Sequence, residues 1–153
     1  MKGMSATPAL TLAPDRPVLR AFGEEVYLSI SGEQTEGRYA QWLEITPPGG
    51  GPPPHSHSNE DEWFYVLQGT IRFLIDGAWH EAGPGSGAFM PRHSVHTFPN
   101  SGDSPLHMVI TVSPAGFETF FARAAEEFAK ADGPDMARVI AIAGEHGIHF
   151  VAP

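Results

Sequence analysis

The chain has 153 residues, a length that suits one domain with its own core and is short for two. Eighteen Asp and Glu against nine Lys and Arg give a formal net charge of -9, which repels a phosphate backbone and excludes nucleic acid as the expected partner. With no cysteine, disulfides and thiolate ligands are excluded, so any metal must be held by nitrogen and oxygen.

The opening segment, MKGMSATPALTLAPDRP, has no apolar stretch of signal-peptide length, and residues 1–17 are expected to form an N-terminal arm. No apolar run anywhere approaches the roughly eighteen residues of a membrane helix, so a cytoplasmic protein without membrane contact is expected. From residue 18 to 113, short β-branched or aromatic runs alternate with turn residues, and 17 Gly and 15 Pro supply the turns. This predicts an all-β domain, a small antiparallel barrel or jelly roll. Strands are expected at Val26 to Ile30, Tyr39 to Thr46, Glu62 to Gln68, Ile71 to Ile75, Gly87 to Met90, around Thr97 and Phe98, and at Leu106 to Val112. Asp76-Gly77 between IRFLI and AWHEA predicts a tight hairpin, since both residues tolerate the positive φ that a primed turn needs. PPGGGPPP from Pro47 to Pro54 predicts a stiff extended loop leading into HSH.

After Pro114 the period changes. Phe117, Phe120, Phe121, Ala124 and Phe128 fall at helical spacing with charged residues between them, which predicts an amphipathic helix packed on the β-domain or on a partner subunit. A second helix is expected from Asp135 to Ala143, with Pro134 near its start and Gly144 placed to end it. Residues 114–153 are thus expected to be a helical extension.

On an extended chain alternate residues face the same way, so His55 and His57 project into one space. Glu60 and Glu62 also share parity, and either can reach that space, whereas Asp61 faces away. Phe64 and Val66 continue the Glu62 face, giving an apolar interior with a carboxylate at one end. Imidazole and carboxylate without sulfur suit one divalent Fe, Mn, Ni, Co, Cu or Zn ion. The segment GSGAFMPRHSVHTFPN adds His93 and His96. His80, His107, His146 and His149 have no comparable spacing and are expected at the surface or in the core.

The spacings taken together resemble the two signature motifs of the cupin superfamily. The first runs Gly49, five residues, His55-x-His57, four residues, Glu62, six residues, Gly69. The second runs Gly85, five residues, Pro91, four residues, His96, three residues, Asn100, after fifteen intervening residues. PPGGGPPPHSHSNEDEWFYVLQG and SPAGFETFF further resemble small single-domain bacterial cupins described as quercetin-dioxygenase-like. The resemblance implies a cupin β-barrel over residues 18–113, with His55, His57, Glu62 and His96 as ligands of one metal per chain. It departs from the family pattern at His93, where glycine is usual. Histidine visits positive φ less reluctantly than most residues, so the turn can survive, with His93 directed either outward into solvent or inward as a supporting or substitute ligand.

What the resemblance implies for chemistry is a dioxygenase-type oxidoreductase in which Glu62 also takes a substrate hydroxyl proton. A non-redox isomerase, epimerase or lyase uses the same ligands, and a barrel that only binds a small molecule or a metal is the third reading. The expected ligand is a small organic substrate, aromatic compounds being among the candidates. Candidate pocket residues are Phe64, Val66, Trp42, Met108 and His93. The phenylalanine helix, the sheet edges and the resemblance lead to the expectation of a homodimer.

Overall fold

A computed structural model describes residues 6–151. A 3-10 turn at Ala13–Asp15 precedes β1 (Val18–Ala21), β2 (Glu24–Ile30), β3 (Ala40–Thr46), β4 (His55–His57) and β5 (Asp61–Gln68). Then follow β6 (Ile71–Ile75), β7 (Ala78–Ala82), β8 (Gly87–Met90), β9 (His96–Thr97) and β10 (Leu106–Ser113). The chain closes with α1 (Phe117–Phe128), α2 (Met136–Glu145) and β11 (Ile148–Phe150).

Alternation shapes the strands. Along β3 every second side chain (Ala40, Trp42, Glu44, Thr46) is buried, and on β5 Glu62, Phe64 and Val66 are buried while Trp63, Tyr65 and Leu67 are exposed. Two antiparallel sheets result, ordered β1-β2-β3-β10-β5-β8 and β11-β4-β9-β6-β7. The expected small antiparallel barrel or jelly roll is thus present as a jelly roll of two facing sheets, with strand pairing that stops at the edges of each sheet. Phe64 from one sheet and Phe73 from the other meet with ring centroids 5.3 Å apart, and Phe98 lies 5.3 Å from Phe64. Each such fully buried side chain contributes roughly 1.5–3 kcal/mol of transfer free energy.

The Asp76-Gly77 turn forms as its chemistry dictates, with φ values of 47° and 82°. A second primed turn, at Phe22 (φ 54°) and Gly23 (φ 70°), joins β1 to β2; β1 adds a strand ahead of the first one expected from the sequence, at Val26. Phenylalanine is a poor choice for positive φ. It persists because the Phe22 ring is seated 4.9 Å from Phe128 and 5.9 Å from Phe150, so burial outweighs local strain.

The helices pack as their period predicts, burying Phe120, Phe121 and Ala124 on α1 and Val139, Ile142 and Ala143 on α2. Asp135 caps α2 by accepting the backbone N–H of Arg138 at 3.2 Å. The stop comes one turn later than Gly144: the left-handed residue is Gly147, at φ 71°. That turn sends the chain back as β11, which pairs with β4 through Ile148 opposite His57 and Phe150 opposite His55. Three residues after a helix carry too little pattern to announce this strand. No helix is long and apolar enough to cross a membrane among the described residues.

Candidate metal centre

The loop before β4 is held at both ends. Gly49 donates its N–H to the Asn100 carbonyl at 2.9 Å, and Asn100 donates back to the Gly50 carbonyl at 3.0 Å. The Asn100 side chain, 3% exposed, also donates to the carbonyls of Thr46 and Ser104. A Cβ on Gly50 would lie 2.4 Å from the Gly23 carbonyl, so only glycine fits there. This clamp aims β4, and with it His55 and His57, at the interior.

His55 lies directly opposite His96 of the neighbouring β9, and Glu62 comes from β5 in the facing sheet. Each of the four residues is 5% exposed or less, and one potential ligand atom from each falls within 4.8 Å of all the others. His57 Nε2 and His96 Nε2 are each 3.1 Å from the same Glu62 oxygen, Oε2.

The outer nitrogens decide what the inner ones can do. His55 Nδ1 faces the Pro53 carbonyl at 2.9 Å, His57 Nδ1 faces Glu60 Oε1 at 2.5 Å, and His96 Nδ1 faces the Ser94 carbonyl at 3.1 Å. An acceptor at every Nδ1 keeps the proton there, so every Nε2 lone pair points inward. Three lone pairs and a carboxylate oxygen crowd one buried point, an arrangement that only a shared proton or a cation relieves. His57 Nε2 has no hydrogen-bond partner, because its approach to Glu62 lies outside hydrogen-bond geometry. The donor set, three nitrogens and one oxygen, is what a first-row divalent ion takes.

The electrostatics agree. Burial, then repulsion from His96 and His57, lowers the pKa of His55 to about 3 and keeps it neutral. Burial also pulls His57 down, but the nearby Glu62 charge and the hydrogen bond to Glu60 prevail and raise it to about 9. Burial pushes Glu62 up, yet the His57 charge and the close approach of the His57 and His96 Nε2 atoms hold it well below the usual carboxylate range. Without metal, a proton on His57 therefore occupies the place that a cation would take.

Glu60 and Glu62 divide the labour that their shared parity left open: Glu62 faces the three Nε2 atoms, and Glu60, 3% exposed, orients His57 from behind. Glu60→Gln is expected to weaken divalent-metal affinity by about 10–100-fold with the fold intact, measured by titration with a competing chelator. Asp61 faces outward and accepts the Arg92 backbone N–H at 3.0 Å.

His93 is exposed, at φ 72°, and its side chain lies outside the cluster; its backbone N–H donates to the His57 carbonyl at 2.7 Å. Trp42, Phe64, Val66 and Met108 are all buried on inner faces, but none of them lines the cavity that contains His55 and Glu62. That cavity is walled by Phe22, Phe98, Phe117, Phe120, Phe121 and Phe150, with Glu24 and Glu44 among its polar residues. Sequence reasoning assigned the phenylalanine helix to packing alone. The helix does pack, and its first turn also reaches the site, with Phe117 5.2 Å from His57 and stacked 5.3 Å from Trp42. No local signal distinguishes a phenylalanine that fills a core from one that roofs a site. His80, His107, His146 and His149 all lie outside the cluster.

Residues 42–112 match the family model described as a cupin domain. The two-sheet jelly roll and the four-residue cluster agree with that match, so the chain carries a small cupin domain. Solved structures agree on the fold. KdgF from Halomonas sp. is similar at 18% identity and TM-score 0.63, over 74% of this chain and 99% of that one. The polyketide cyclase RemF from Streptomyces resistomycificus is similar at 22% and 0.61, over 70% and 80%. A predicted oxalate decarboxylase from Thermotoga maritima is similar at 21% and 0.61, over 69% and 99%. No curated protein matches. Likeness at these identities concerns fold and leaves chemistry to the site.

Proposed function

We propose that this protein is a mononuclear metal-dependent enzyme acting on a small organic substrate, with His55, His57, Glu62 and His96 holding one divalent transition metal. The observation that carries the reading is the convergence of three Nε2 lone pairs and one carboxylate, every Nδ1 being committed outward. A divalent ion in such a set supplies Lewis-acid or redox chemistry and has positions left for substrate oxygen. The chain's own residues do the rest. In this reading Glu60 orients His57, the phenylalanine walls keep the site apolar, and Glu62 takes the substrate hydroxyl proton.

Dioxygenase-type turnover on a phenolic substrate is the first reading. It rests on the resemblance of the HSH segment and its flanks to quercetinase-like cupins. The open space between the walls is about 20 Å³, room for about one water molecule, so a substrate of either class reaches the site only as the phenylalanine side chains move aside. The non-redox alternative, an isomerase or lyase, draws specific support from Glu24 and Glu44, two further buried carboxyls on the same cavity.

Elemental analysis of protein purified without a histidine tag is expected to find about one metal per chain, as a four-ligand site requires. Oxygen uptake with a phenol panel then separates the readings: uptake supports the oxygenase, and none by the iron-, manganese-, copper- or nickel-loaded protein removes it. A protein that takes up no metal on reconstitution ends the metalloenzyme reading and leaves a ligand-binding jelly roll.

We also propose a homodimer. Trp63, Tyr65, Leu67 and Phe89 are exposed on the outer face of β5 and β8, with Trp63 and Phe89 directly opposite in register. Such an apolar face suits a second copy of the chain. Light scattering is expected to give twice the 16.5 kDa chain mass, reverting to one chain in Trp63→Glu/Phe89→Glu.

A further inference from the structure

Glu24, at the start of β2, and Glu44, in β3, are 3% and 2% exposed and line the same cavity as His55 and Glu62. Neither is in an ion pair among the described residues, and no Lys or Arg lines the cavity. Glu24 Oε1 and Glu44 Oε2 are buried without hydrogen-bond partners. So are Trp42 Nε1 and Thr46 Oγ1, on the same face of β3 as Glu44; the Trp42 indole lies near Glu44 but outside hydrogen-bond geometry.

Packing does not account for this set. Leucine or isoleucine at positions 24 and 44 would fill the space with no polar atom left unpaired, and a buried unpaired carboxyl is among the costlier features a core can carry. A second metal site is also a poor fit, since no third ligating residue joins the two carboxyls among the described residues. What remains is a pair of buried carboxyls, with unpartnered oxygens, that line one small cavity. Burial, then the Glu44 charge, pushes the Glu24 pKa well up. Burial pushes Glu44 up to about 7 against the pull of the Glu24 hydrogen bond. Two such groups do not both ionise, so one acid and one base stand side by side.

We propose that Glu24 and Glu44 are the acid–base pair that moves the substrate's proton in this cavity, and that the substrate is a small hydroxy-carbonyl compound. The inference rests on the metal-site reading above and commits it to proton transfer. Glu44, as carboxylate, takes the proton from the carbon that bears the hydroxyl. The C–H electron pair becomes a carbon–carbon double bond, and the carbonyl oxygen takes the proton of Glu24. In the second half the original hydroxyl gives its proton to Glu24, and Glu44 returns its own to the former carbonyl carbon. The carbonyl has then moved by one carbon, the pair carries the single proton it began with, and no oxidant is consumed.

The test uses the full chain reconstituted with zinc, with hydroxyacetone in D2O as the probe. Proton NMR follows deuterium exchange at the hydroxyl-bearing carbon, elemental analysis gives zinc per chain, and infrared difference spectra report protonated carboxyl at neutral pH. Wild type is expected to exchange faster than buffer, and Glu44→Gln at least ~100-fold more slowly than wild type, the usual scale for losing a general base. Zinc content is expected to stay at one per chain, and the protonated-carboxyl band to disappear in Glu24→Gln and persist in Glu44→Gln. If Glu44→Gln fails to fold, Glu44→Asp, which keeps the charge but withdraws the oxygen by one methylene, is expected to lose exchange at least ~10-fold. A wild-type protein that binds no zinc overturns the metal reading and this inference together. Full zinc with no exchange, with exchange unchanged in the Glu44 variant, or with no protonated-carboxyl band overturns the pair alone.

Discussion

His96→Ala is expected to remove bound metal and to destabilise the metal-free protein as well, by roughly 3–5 kcal/mol, the scale for stripping the partner from a buried charge. Both effects have one cause. Glu62 Oε2, in a carboxylate 3% exposed, lies 3.1 Å from the Nε2 atoms of His57 and His96, and its low pKa depends on them. Without His96 the carboxylate keeps one neighbour, which already approaches outside hydrogen-bond geometry. Metal affinity then falls by more than the 10–100-fold that an outer supporting bond is worth. Glu62→Gln separates the two effects, because it abolishes binding yet removes the buried charge, and His57 retains Glu60. Elemental analysis and urea unfolding of metal-free protein check both arms. Wild-type metal content in His96→Ala would refute the assigned ligand set.

Metal-free protein is expected to lose stability as pH rises from about 6.5 to 9, and metal-loaded protein to lose much less. His57 has a folded pKa of about 9 against its ordinary 6.5, so its contribution is full below 6.5 and disappears as pH passes through 9. The shift corresponds to roughly 3 kcal/mol at most. Glu44, raised from 4.5 to about 7, acts in the same direction, its contribution being present below 4.5 and lost through 7. The acid limb has the opposite origin. Glu62 is held low and His55 is lowered to about 3, so both contributions fade as pH falls. A bound cation takes the place of the His57 proton, so binding below pH 9 should release about one proton per metal, and apparent affinity should rise about tenfold per pH unit from 7 to 9. Calorimetry in two buffers of different ionisation enthalpy measures that proton. No proton released would show that His57 is already neutral and is not the group displaced.

Much of this site was legible in the residues themselves. The HSH spacing places two imidazoles on one face of any extended chain, and the intervals through Glu62, Gly69, Gly85 and His96 match a pattern whose geometry the structure repeats. Asp76-Gly77 made its turn and the Phe117 to Phe128 stripe its helix, because backbone preference and hydrophobic period act within a few residues. The turn at Phe22 was not legible, since its φ is held by Phe128 and Phe150, more than a hundred positions away. Nor was β11, whose partner β4 lies some ninety residues earlier.

By itself the sequence determined a cysteine-free, acidic β-domain with amphipathic helices behind it and four candidate ligands at family spacing. Periodicity, turn chemistry and ligand type are local properties, and no tertiary contact is needed to express them. Tertiary structure alone decided how the strands divide between the two facing sheets, and that Glu60 stands behind His57 while Glu62 faces the cluster. It also decided that α1 roofs the cavity and that Glu24 and Glu44 meet inside it. Those outcomes depend on which distant surfaces exclude water together, and burial is a property of the assembled chain that no short window of residues contains.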